Sequence, residues 1–198
     1  RSLPLFRYEG SDDAHATGVM GTNGRGTVDH FGLKDRWDIQ IGTMSKAFGV
    51  MGGYVCAARP LVEYYVHKAR PFLFSSSHPP AVGAAAQAAI EVMETEPELH
   101  ARLWENTRHF KAGLARLGFN TGTSVTPITP VIIGSGAKAA RFSDALFEAG
   151  VFAQGIFFPM VAEEKSRVRT IVMATHTKAD LDEALAAFEK VGRSLGVV

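Results

Sequence analysis

The first half of the chain places short apolar runs between glycine-rich loops. Residues 38–43, Asp-Ile-Gln-Ile-Gly-Thr, alternate apolar and polar side chains and then break at glycine, which is typical of a half-buried strand. Residues 53–58 form a second apolar run of strand character. The pattern therefore predicts two short strands that flank a loop, and such loops often carry binding and catalytic residues.

Three helices are predicted after this loop. The first covers residues 59–69, where a proline near the start suits a first helical turn, and it is ended by Pro71. A helix of small residues begins after Pro79-Pro80 and runs to about residue 95, and an amphipathic helix follows over residues 97–118. The last two could also form one long helix with a kink.

From Pro127 onward the pattern becomes strand, helix, strand, strand, helix. The predicted elements cover residues 128–133, 137–149, 151–158, 168–174 and 178–195. Because the pattern changes character between the two halves, we place a domain boundary within residues 95–120, dividing the chain into residues 1–100 and 101–198.

The composition is that of a globular chain, since 46% of its 198 residues are hydrophobic and 21% are charged. Its 21 Lys and Arg against 20 Asp and Glu give a formal net charge of +1. No net field therefore favours nucleic acid, a membrane or a polyacid as partner. The longest apolar stretch, residues 81–93, is too short and too polar to span a bilayer. With no signal peptide expected either, we predict a cytoplasmic protein.

The cysteine and histidine residues give no sign of a disulfide or a metal site. The single cysteine, Cys56, cannot form an internal disulfide, and its apolar surroundings predict a buried, inert thiol. The seven histidines show no paired ligand spacing with cysteine or carboxylate, so no metal is expected.

Three segments carry candidate chemistry. They are Asp12-Asp-Ala-His15 together with Gly21-Thr-Asn-Gly-Arg-Gly26, then Gly42-Thr-Met-Ser-Lys-Ala-Phe-Gly49, then Phe72-Leu-Phe-Ser-Ser-Ser-His-Pro-Pro80. A lysine on a loop between strands, such as Lys46, can act as a nucleophilic amine when its pKa is lowered. Taken alone, a lysine between glycines is more typical of a solvated surface residue.

The three segments together supply what pyridoxal phosphate (PLP) requires besides a lysine. PLP needs a carboxylate against its ring nitrogen, a donor near its phenolic oxygen, and hydroxyls or amides for its phosphate. Asp12 can serve the ring nitrogen and His15 the phenolic oxygen. Thr43 and either Ser75 or Ser76 offer hydroxyls to the phosphate. Taken alone, Asp12-Asp13 would be interpreted as a turn or helix cap.

These motifs resemble those of the α-oxoamine synthases among the fold-type I PLP enzymes. The resemblance rests on Asp-Asp-Ala-His-x-x-Gly, Gly-x-x-Gly-Arg-Gly, Gly-Thr-x-x-Lys-Ala-x-Gly and Phe-x-Phe-Ser-x-Ser-x-x-Pro, and on the separation of His15 from Lys46. It extends over residues 12–198, including Arg167-Val-Arg169 and Ala174-Thr-His-Thr177. It implies an α/β fold, in which residues 1–100 are part of the PLP-binding large domain and residues 101–198 form a smaller C-terminal α/β domain.

The resemblance also implies a role for each matching residue. Asp12 pairs with the ring nitrogen, His15 bonds the phenolic oxygen, and Lys46 forms the Schiff base with PLP. Thr43 contacts the phosphate in its own subunit, whereas Ser75 and Ser76 reach the phosphate of the neighbouring subunit, so a homodimer shares its active sites. Arg169 holds the carboxylate of the amino-acid substrate, a task that suits a guanidinium fork. Arg167 is interpreted as structural.

The activity implied by the resemblance is a condensation of glycine or a similar small amino acid with an acyl-CoA. Lys46 removes the α-proton as general base, and the product is a β-keto amino acid that some members decarboxylate. Residues 155–159 and 191–197 look most like those of the glycine C-acetyltransferases (2-amino-3-ketobutyrate CoA ligases). The nearest alternative is the 8-amino-7-oxononanoate synthases of biotin synthesis.

The chain departs from the family pattern at its beginning. Family members are about twice as long, and we expect further sequence upstream that carries an aromatic residue stacked on PLP and a glycine-rich phosphate loop. The family has a buried apolar strand before Asp12. Here only residues 3–6 are apolar, and Pro4 and Gly10-Ser11 are expected to break the strand.

Two other classes of function are compatible with parts of the sequence. A hydrolase could use Ser45-Lys46 or Ser77-His78, although no acid partner or nucleophile elbow is recognisable. A chain without catalytic activity could serve only as a folding or dimerisation partner. Absorbance separates these alternatives from a PLP enzyme, because only covalently bound PLP colours the protein.

Overall fold

The computed structural model describes residues 9–198, so the apolar residues 3–6 lie outside the described part. The chain divides into two compact units, the first ending at His100 and the second covering Ala101–Val198. Among the helices of the described residues, none is both long and apolar enough to cross a membrane.

The first unit is built on a three-stranded sheet. Its strands are β1 (Gly10–Asp12), β2 (Ile39–Thr43) and β3 (Gly53–Ala57), in the order β1-β2-β3. β1 is parallel to β2, and β3 is antiparallel to it. The two strands predicted on either side of Lys46 are confirmed. The expected break at Gly10-Ser11 is wrong, because both residues pair with β2 at its edge, where small side chains are tolerated.

The helices of the first unit follow the predicted pattern with two short additions. α1 (Thr27–His30) is short, and α2 (Arg59–Lys68) ends one residue before the predicted boundary. Pro71 does not simply stop the chain from being helical, because it lies in the first turn of a further short helix, α3 (Arg70–Leu73). Single 3₁₀ turns cover Thr22–Gly24 and Lys34–Arg36.

The two long helices are separate rather than one kinked helix. α4 (Pro80–Thr95) and α5 (Pro97–Arg116) are divided at Glu96, whose φ of −120° and ψ of 63° are not helical. The cause is Pro97, because a proline ring clashes with the preceding residue when that residue is helical.

Few apolar side chains of the first unit are buried. Among residues 9–100 the buried hydrophobic residues are Met20, Val28 and Ala86, whereas Ile41 and Val55 on the sheet are each 46% exposed. The predicted burial of Cys56 is wrong, because its side chain is exposed. The physical reason is that Val55 and Cys56 point to opposite faces of β3 and both are exposed, so at these residues neither face of the strand is covered by the described part of the chain.

The second unit confirms the predicted order of strand, helix, strand, strand, helix. Its elements are β4 (Ile128–Ile132), α6 (Gly136–Glu148), β5 (Gln154–Ile156), β6 (Arg167–Ile171) and α7 (Lys178–Ser194). The sheet order is β4-β6-β5, and both pairs are antiparallel. The strand predicted over residues 151–158 is shorter than expected.

A well-packed core holds the second unit together. α5, α6 and α7 contribute Phe110, Phe142 and Phe188, whose rings meet with centroid distances of 5.8–5.9 Å between Phe188 and each of the other two. On the central strand β6, Val168 and Thr170 are buried, so Arg167, Arg169 and Ile171 lie on the opposite face. The alternation therefore directs Arg169 away from the aromatic core.

Candidate functional site

The candidate site of the first unit lies where β1 and β2 end. Because the two strands are parallel, their carboxyl ends meet at the same edge of the sheet, which is where ligands bind in open α/β sheets. Asp12 is the last residue of β1 and pairs with Ile41, and Thr43 is the last residue of β2. The register thus brings Asp12, Thr43 and the loop with Lys46 to one edge.

The loop that carries Lys46 is closed by backbone hydrogen bonds. The amide of Met44 donates to the carbonyl of Gly52 over 2.9 Å, and the amide of Val50 donates to the carbonyl of Met44 over 2.9 Å. Within this closed loop the amide of Gly49 donates to the carbonyl of Lys46 over 3.1 Å. The Lys46 side chain itself is exposed, so its amine is accessible to a ligand.

Two hydroxyls stand together at the start of the loop. The Oγ atoms of Thr43 and Ser45 are 2.8 Å apart, and Thr43 Oγ1 also donates to the carbonyl of Gly52 over 3.1 Å. The sequence predicted Thr43 as a phosphate-binding hydroxyl but considered Ser45 only as a hydrolase nucleophile. The pair fits an anion better, since the Ser45 hydroxyl can turn its proton toward an acceptor group and Thr43 can do the same by giving up its bond to the Gly52 carbonyl.

Glycines let the Asp12–His15 segment approach Lys46. A Cβ atom placed on Gly18 would lie 2.5 Å from the Cβ of Ala47, the neighbour of Lys46. A Cβ atom on Gly24 would lie 2.7 Å from the backbone of Gly18. Gly24, Gly18 and Ala47 therefore form a stack without side-chain bulk. This contact explains why two of the three motifs carry a glycine at this point and the third carries an alanine.

Replacement of Gly18 by alanine is expected to displace Ala47 and the adjacent Lys46, because Gly18 has a φ of +79° and no room for a Cβ atom. Overpacking of this kind costs about 1–3 kcal/mol of stability, and to the extent that the Lys46 loop moves to relieve it, ligand binding at Lys46 is expected to weaken by up to about a hundredfold. Titration of the full-length variant with PLP measures the effect.

Gly32 provides the matched control for this substitution. Its φ is +65°, but nothing lies within 4 Å of an added Cβ atom. Gly32→Ala therefore carries similar backbone strain without the contact to Ala47. Equal binding losses in the two variants would contradict the role of the Gly18–Ala47 contact.

Asp12 and His15 lie on either side of a tight turn. The Oδ1 atom of Asp12 accepts a hydrogen bond from the amide of Ala14 over 2.9 Å, and the side chain remains exposed. His15 is also exposed and sits in a turn in which the amides of Ala16 and Thr17 donate to the carbonyl of Asp13. Both predicted residues are thus presented at the surface of the sheet edge.

Ser75 and Ser76 lie on the exposed loop between α3 and α4. Within residues 9–198 neither hydroxyl makes a hydrogen bond, so the structure does not join them to Thr43 or Lys46 in the same chain. His78, on the same loop between α3 and α4, contacts the end of the Lys46 loop at Gly52. Its ring lies where a side chain on Gly52 would have to go.

Tyr54 is a site-forming residue that the sequence did not indicate. It pairs with Gly42 across β2 and β3, and its ring occupies the space that a Cβ atom on Gly42 would need. Its hydroxyl lies 2.5 Å from Thr17 Oγ1, and burial raises the pKa of Tyr54 above its ordinary value. Tyr54 thus ties the segment after His15 to the sheet. The one feature of the sequence that could have indicated the role of Tyr54 is Gly42, a glycine within the strand before Lys46.

Arg169 lines a cavity of about 750 Å³ in the second unit. Its pairing partners on the flanking strands are Pro130 and Gln154. Its Nε atom is buried without a hydrogen-bond partner among the described residues, so the guanidinium group has donor capacity for a ligand. Arg167 differs, because its Nε donates to the carbonyl of Lys165 over 2.7 Å.

The sequence comparisons identify the family and its relatives. The profile of the family described as aminotransferase class I and II matches residues 10–188. An 8-amino-7-oxononanoate synthase of Symbiobacterium thermophilum is 65% identical over 187 residues, which are 94% of this chain and 48% of that protein. An 8-amino-7-oxononanoate synthase/2-amino-3-ketobutyrate coenzyme A ligase of Thermus thermophilus is 55% identical, with 94% and 48% covered. The chain spans about half the length of the curated relatives it matches.

Solved structures share the fold. Serine palmitoyltransferase from S. paucimobilis, solved with a bound PLP–myriocin aldimine, superposes with a TM-score of 0.91 at 33% identity, covering 96% of this chain and 48% of that one. The 8-amino-7-oxononanoate synthase of Francisella tularensis gives a TM-score of 0.82 at 25% identity, covering 93% and 55%. These likenesses confirm the predicted fold-type I α/β architecture.

Proposed function

The chain belongs to the aminotransferase class I and II family, and on that premise we propose that it is part of a cytoplasmic, homodimeric, PLP-dependent acyltransferase. The resemblance to the α-oxoamine synthases is confirmed by the relatives and the solved structures. The proposed reaction joins a small amino acid to an acyl-CoA. Residues 1–100 would form part of the PLP-binding large domain, and residues 101–198 the small domain.

Within this class we propose 8-amino-7-oxononanoate synthesis as the activity. The sequence segments near residues 155–159 and 191–197 favoured glycine C-acetyltransferase, but the names of the relatives favour the alternative, and we adopt it. The chemical name of the product indicates its two substrates. The amino-bearing end of the nine-carbon chain matches alanine that has lost its carboxyl group, and the rest, from the ketone to the terminal carboxylate, matches a seven-carbon acyl group. Glycine with acetyl-CoA is the second candidate, because the Thermus thermophilus relative carries both names.

The residues at the sheet edge fit PLP by the chemistry of their groups. The carboxylate of Asp12, the amine of Lys46 and the paired hydroxyls of Thr43 and Ser45 lie at one edge of one sheet. These groups would hold the ring nitrogen, the aldehyde and the phosphate, respectively. When bound, PLP supplies an aldehyde for condensation with amines and a ring that accepts the electron pair released at the substrate α-carbon.

Each residue of the chain then has a defined task. The carboxylate of Asp12 holds a proton on the ring nitrogen, and the imidazole of His15 donates to the phenolic oxygen. The Nζ atom of Lys46 takes the α-proton from the amino acid as general base, for which its exposed position on a closed loop is suitable. The guanidinium of Arg169 binds the substrate carboxylate. The single observation that carries this proposal is the arrangement of Asp12, Thr43 and Lys46 at one sheet edge.

A substrate panel tests the proposed activity. The full-length protein would be incubated with PLP, with either glycine or alanine, and with either acetyl-CoA or the seven-carbon acyl-CoA, and the products would be weighed by mass spectrometry. Formation of 8-amino-7-oxononanoate from alanine is the expected result. Product from glycine and acetyl-CoA alone would establish the second candidate instead.

Absorbance separates an acyltransferase from the other classes. Addition of PLP to the full-length protein is expected to produce a visible absorption band that shifts when the amino acid is added. After unbound PLP has been removed by gel filtration, a hydrolase that uses Ser45 or Ser77, or a chain that serves only in folding or dimerisation, would carry no such band.

We further propose that Ser75 and Ser76 act on the phosphate of the partner subunit. Their exposure and the lack of a hydrogen bond to either hydroxyl within residues 9–198 support this arrangement. Heterodimers that combine a Lys46→Ala subunit with a Ser75→Ala/Ser76→Ala subunit contain one site with all native groups. Such heterodimers are expected to regain up to about half of the wild-type activity per dimer. Verified heterodimers without activity would show that each site uses the serines of its own subunit.

A further inference from the structure

The second acid of the Asp12-Asp13 pair is buried in the site. Asp13 has a relative exposure of 0%, whereas its neighbour Asp12 is exposed. Its Oδ2 atom accepts one hydrogen bond from the amide of Thr27 over 3.0 Å and another from Gln40 Nε2 over 2.5 Å. Burial of a carboxylate is costly unless hydrogen bonds compensate it, so this side chain stabilises a particular arrangement of its donors.

The backbone of Asp13 joins the same elements. Its amide donates to the carbonyl of Ile41 on β2 over 2.7 Å, and its carbonyl accepts from the amides of Ala16 and Thr17 over 2.9 and 3.0 Å. The first bond fixes the end of β1, where Asp12 lies. The other two form the turn that contains His15. Asp13 is therefore the residue through which the sheet edge, the turn and the start of α1 are connected.

Gly26, the last glycine of the Gly21–Gly26 segment, packs directly against the carboxylate of Asp13. Gly26 has a φ of +97°, and a Cβ atom there would overlap Asp13 Oδ2 and come within 3.0 Å of Gln40 Nε2. The carboxylate thus fills the space that a side chain at residue 26 would occupy. The fit holds the glycine segment against the turn that presents Asp12 and His15.

We propose that Asp13 is a positioning residue, which sets the geometry of Asp12 and His15 toward the cofactor ring through hydrogen bonds to Thr27 and Gln40. This inference rests on the proposed function, because Asp12 and His15 have these tasks only if PLP is bound. Because its side chain is fully buried, Asp13 would act without touching the cofactor, by holding Asp12 beside it and His15 two residues further along. Its hydrogen bonds matter rather than its charge.

Two substitutions at residue 13 separate hydrogen bonding from charge. Asp13→Asn can keep a carbonyl oxygen in the place of Oδ2 and put its amide group in the place of Oδ1, which has no partner among the described residues. Asp13→Ala removes both hydrogen bonds. In the full-length protein we expect Asp13→Ala to weaken PLP binding at least about tenfold, and Asp13→Asn to stay within about threefold of wild type.

The absorption spectrum of bound PLP is the measurement that would stay unchanged if Asp13 had only a structural role. It depends on the hydrogen bonds to the ring nitrogen and phenolic oxygen, so Asp13→Ala is expected to shift the visible band at saturating PLP. The matched control is Asp29→Ala, which removes a 2.7 Å hydrogen bond from the Thr22 amide in the same segment without touching the Asp12–His15 turn. Asp29→Ala should leave the band unchanged.

The outcomes distinguish this inference from the proposed function. A wild-type protein that binds no PLP would contradict the proposed function itself. A wild-type protein that binds PLP, together with an Asp13→Ala variant of unchanged affinity and band, would overturn the positioning role. If Asp13→Ala does not fold, Gln40→Ala removes one of the two hydrogen bonds and is expected to shift the band in the same direction. An unshifted band in folded Gln40→Ala would then overturn the inference.

Discussion

Replacement of Lys46 by alanine is expected to abolish both turnover and the covalent attachment of PLP in the full-length protein. Lys46 is the lysine of the closed loop at the sheet edge, and its exposed amine is available both to the cofactor and to the substrate α-proton. General base catalysis alone contributes about 10²–10⁴-fold in rate, and loss of the covalent link adds to that loss. Borohydride reduction followed by mass spectrometry of peptides detects the covalent link.

Lys34 and Lys68 are the control positions for this experiment. Lys34 lies in a 3₁₀ turn and Lys68 at the end of α2, so neither belongs to the Lys46 loop. Alanine at either position should leave the covalent link in place. A Lys46→Ala protein that still carries reducible PLP, on Lys34, Lys68 or elsewhere, would contradict the assignment of Lys46.

Replacement of Arg169 by alanine is expected to weaken productive binding of the amino acid by about ten- to a hundredfold. A charge-assisted hydrogen bond is worth about 1.5–3 kcal/mol, which corresponds to this range. Arg169 lies on the central strand β6, so its guanidinium group is held by a rigid element. Arg169→Lys should recover only part of the loss, since an ammonium group lacks the planar fork. The measurement is the KM for the amino acid.

A structural role for Arg169 would give a different result. If Arg169 braced the small domain against an acidic neighbour, its removal would lower the melting temperature and leave KM near the wild-type value. Within residues 9–198 Arg169 forms no salt bridge, and its Nε atom has no partner, so we expect the melting temperature to change little. Arg167→Ala is the matched control on the same face of β6, and it should leave KM unchanged. A stably folded Arg169→Ala protein with unchanged KM would remove Arg169 from the site.

Much of the fold could be predicted because helices and strands leave periodic patterns in the sequence. The strands around the Lys46 loop and the helix of residues 80–95 were found from local spacing and prolines. The strand predicted over residues 151–158 came out shorter, as β5 covers only Gln154–Ile156. Val151 and Ala153, just before β5, are apolar because they pack in the core of the second unit, and local periodicity cannot separate such residues from those of a strand.

Side-chain burial was predicted less well. Cys56 lies in an apolar run and was expected in the core, but it is exposed because neither face of β3 is covered by the described residues at Val55 and Cys56. Asp13 was interpreted only as part of a turn or cap, and it is completely buried. Burial depends on which elements lie on each face of a strand, and that information is not local.

The sequence by itself determined the chemistry of the site. It placed an amine at Lys46, a carboxylate at Asp12 and a hydroxyl at Thr43 on loops next to predicted strands, because residue type and local periodicity are sufficient for that. Only the tertiary structure decided how these groups are held. The stack of Gly24, Gly18 and Ala47 and the hydrogen bonds of Asp13 to Thr27 and Gln40 join segments far apart along the chain. Such contacts depend on strand order and register, which leave no periodic signal in the residues that make them.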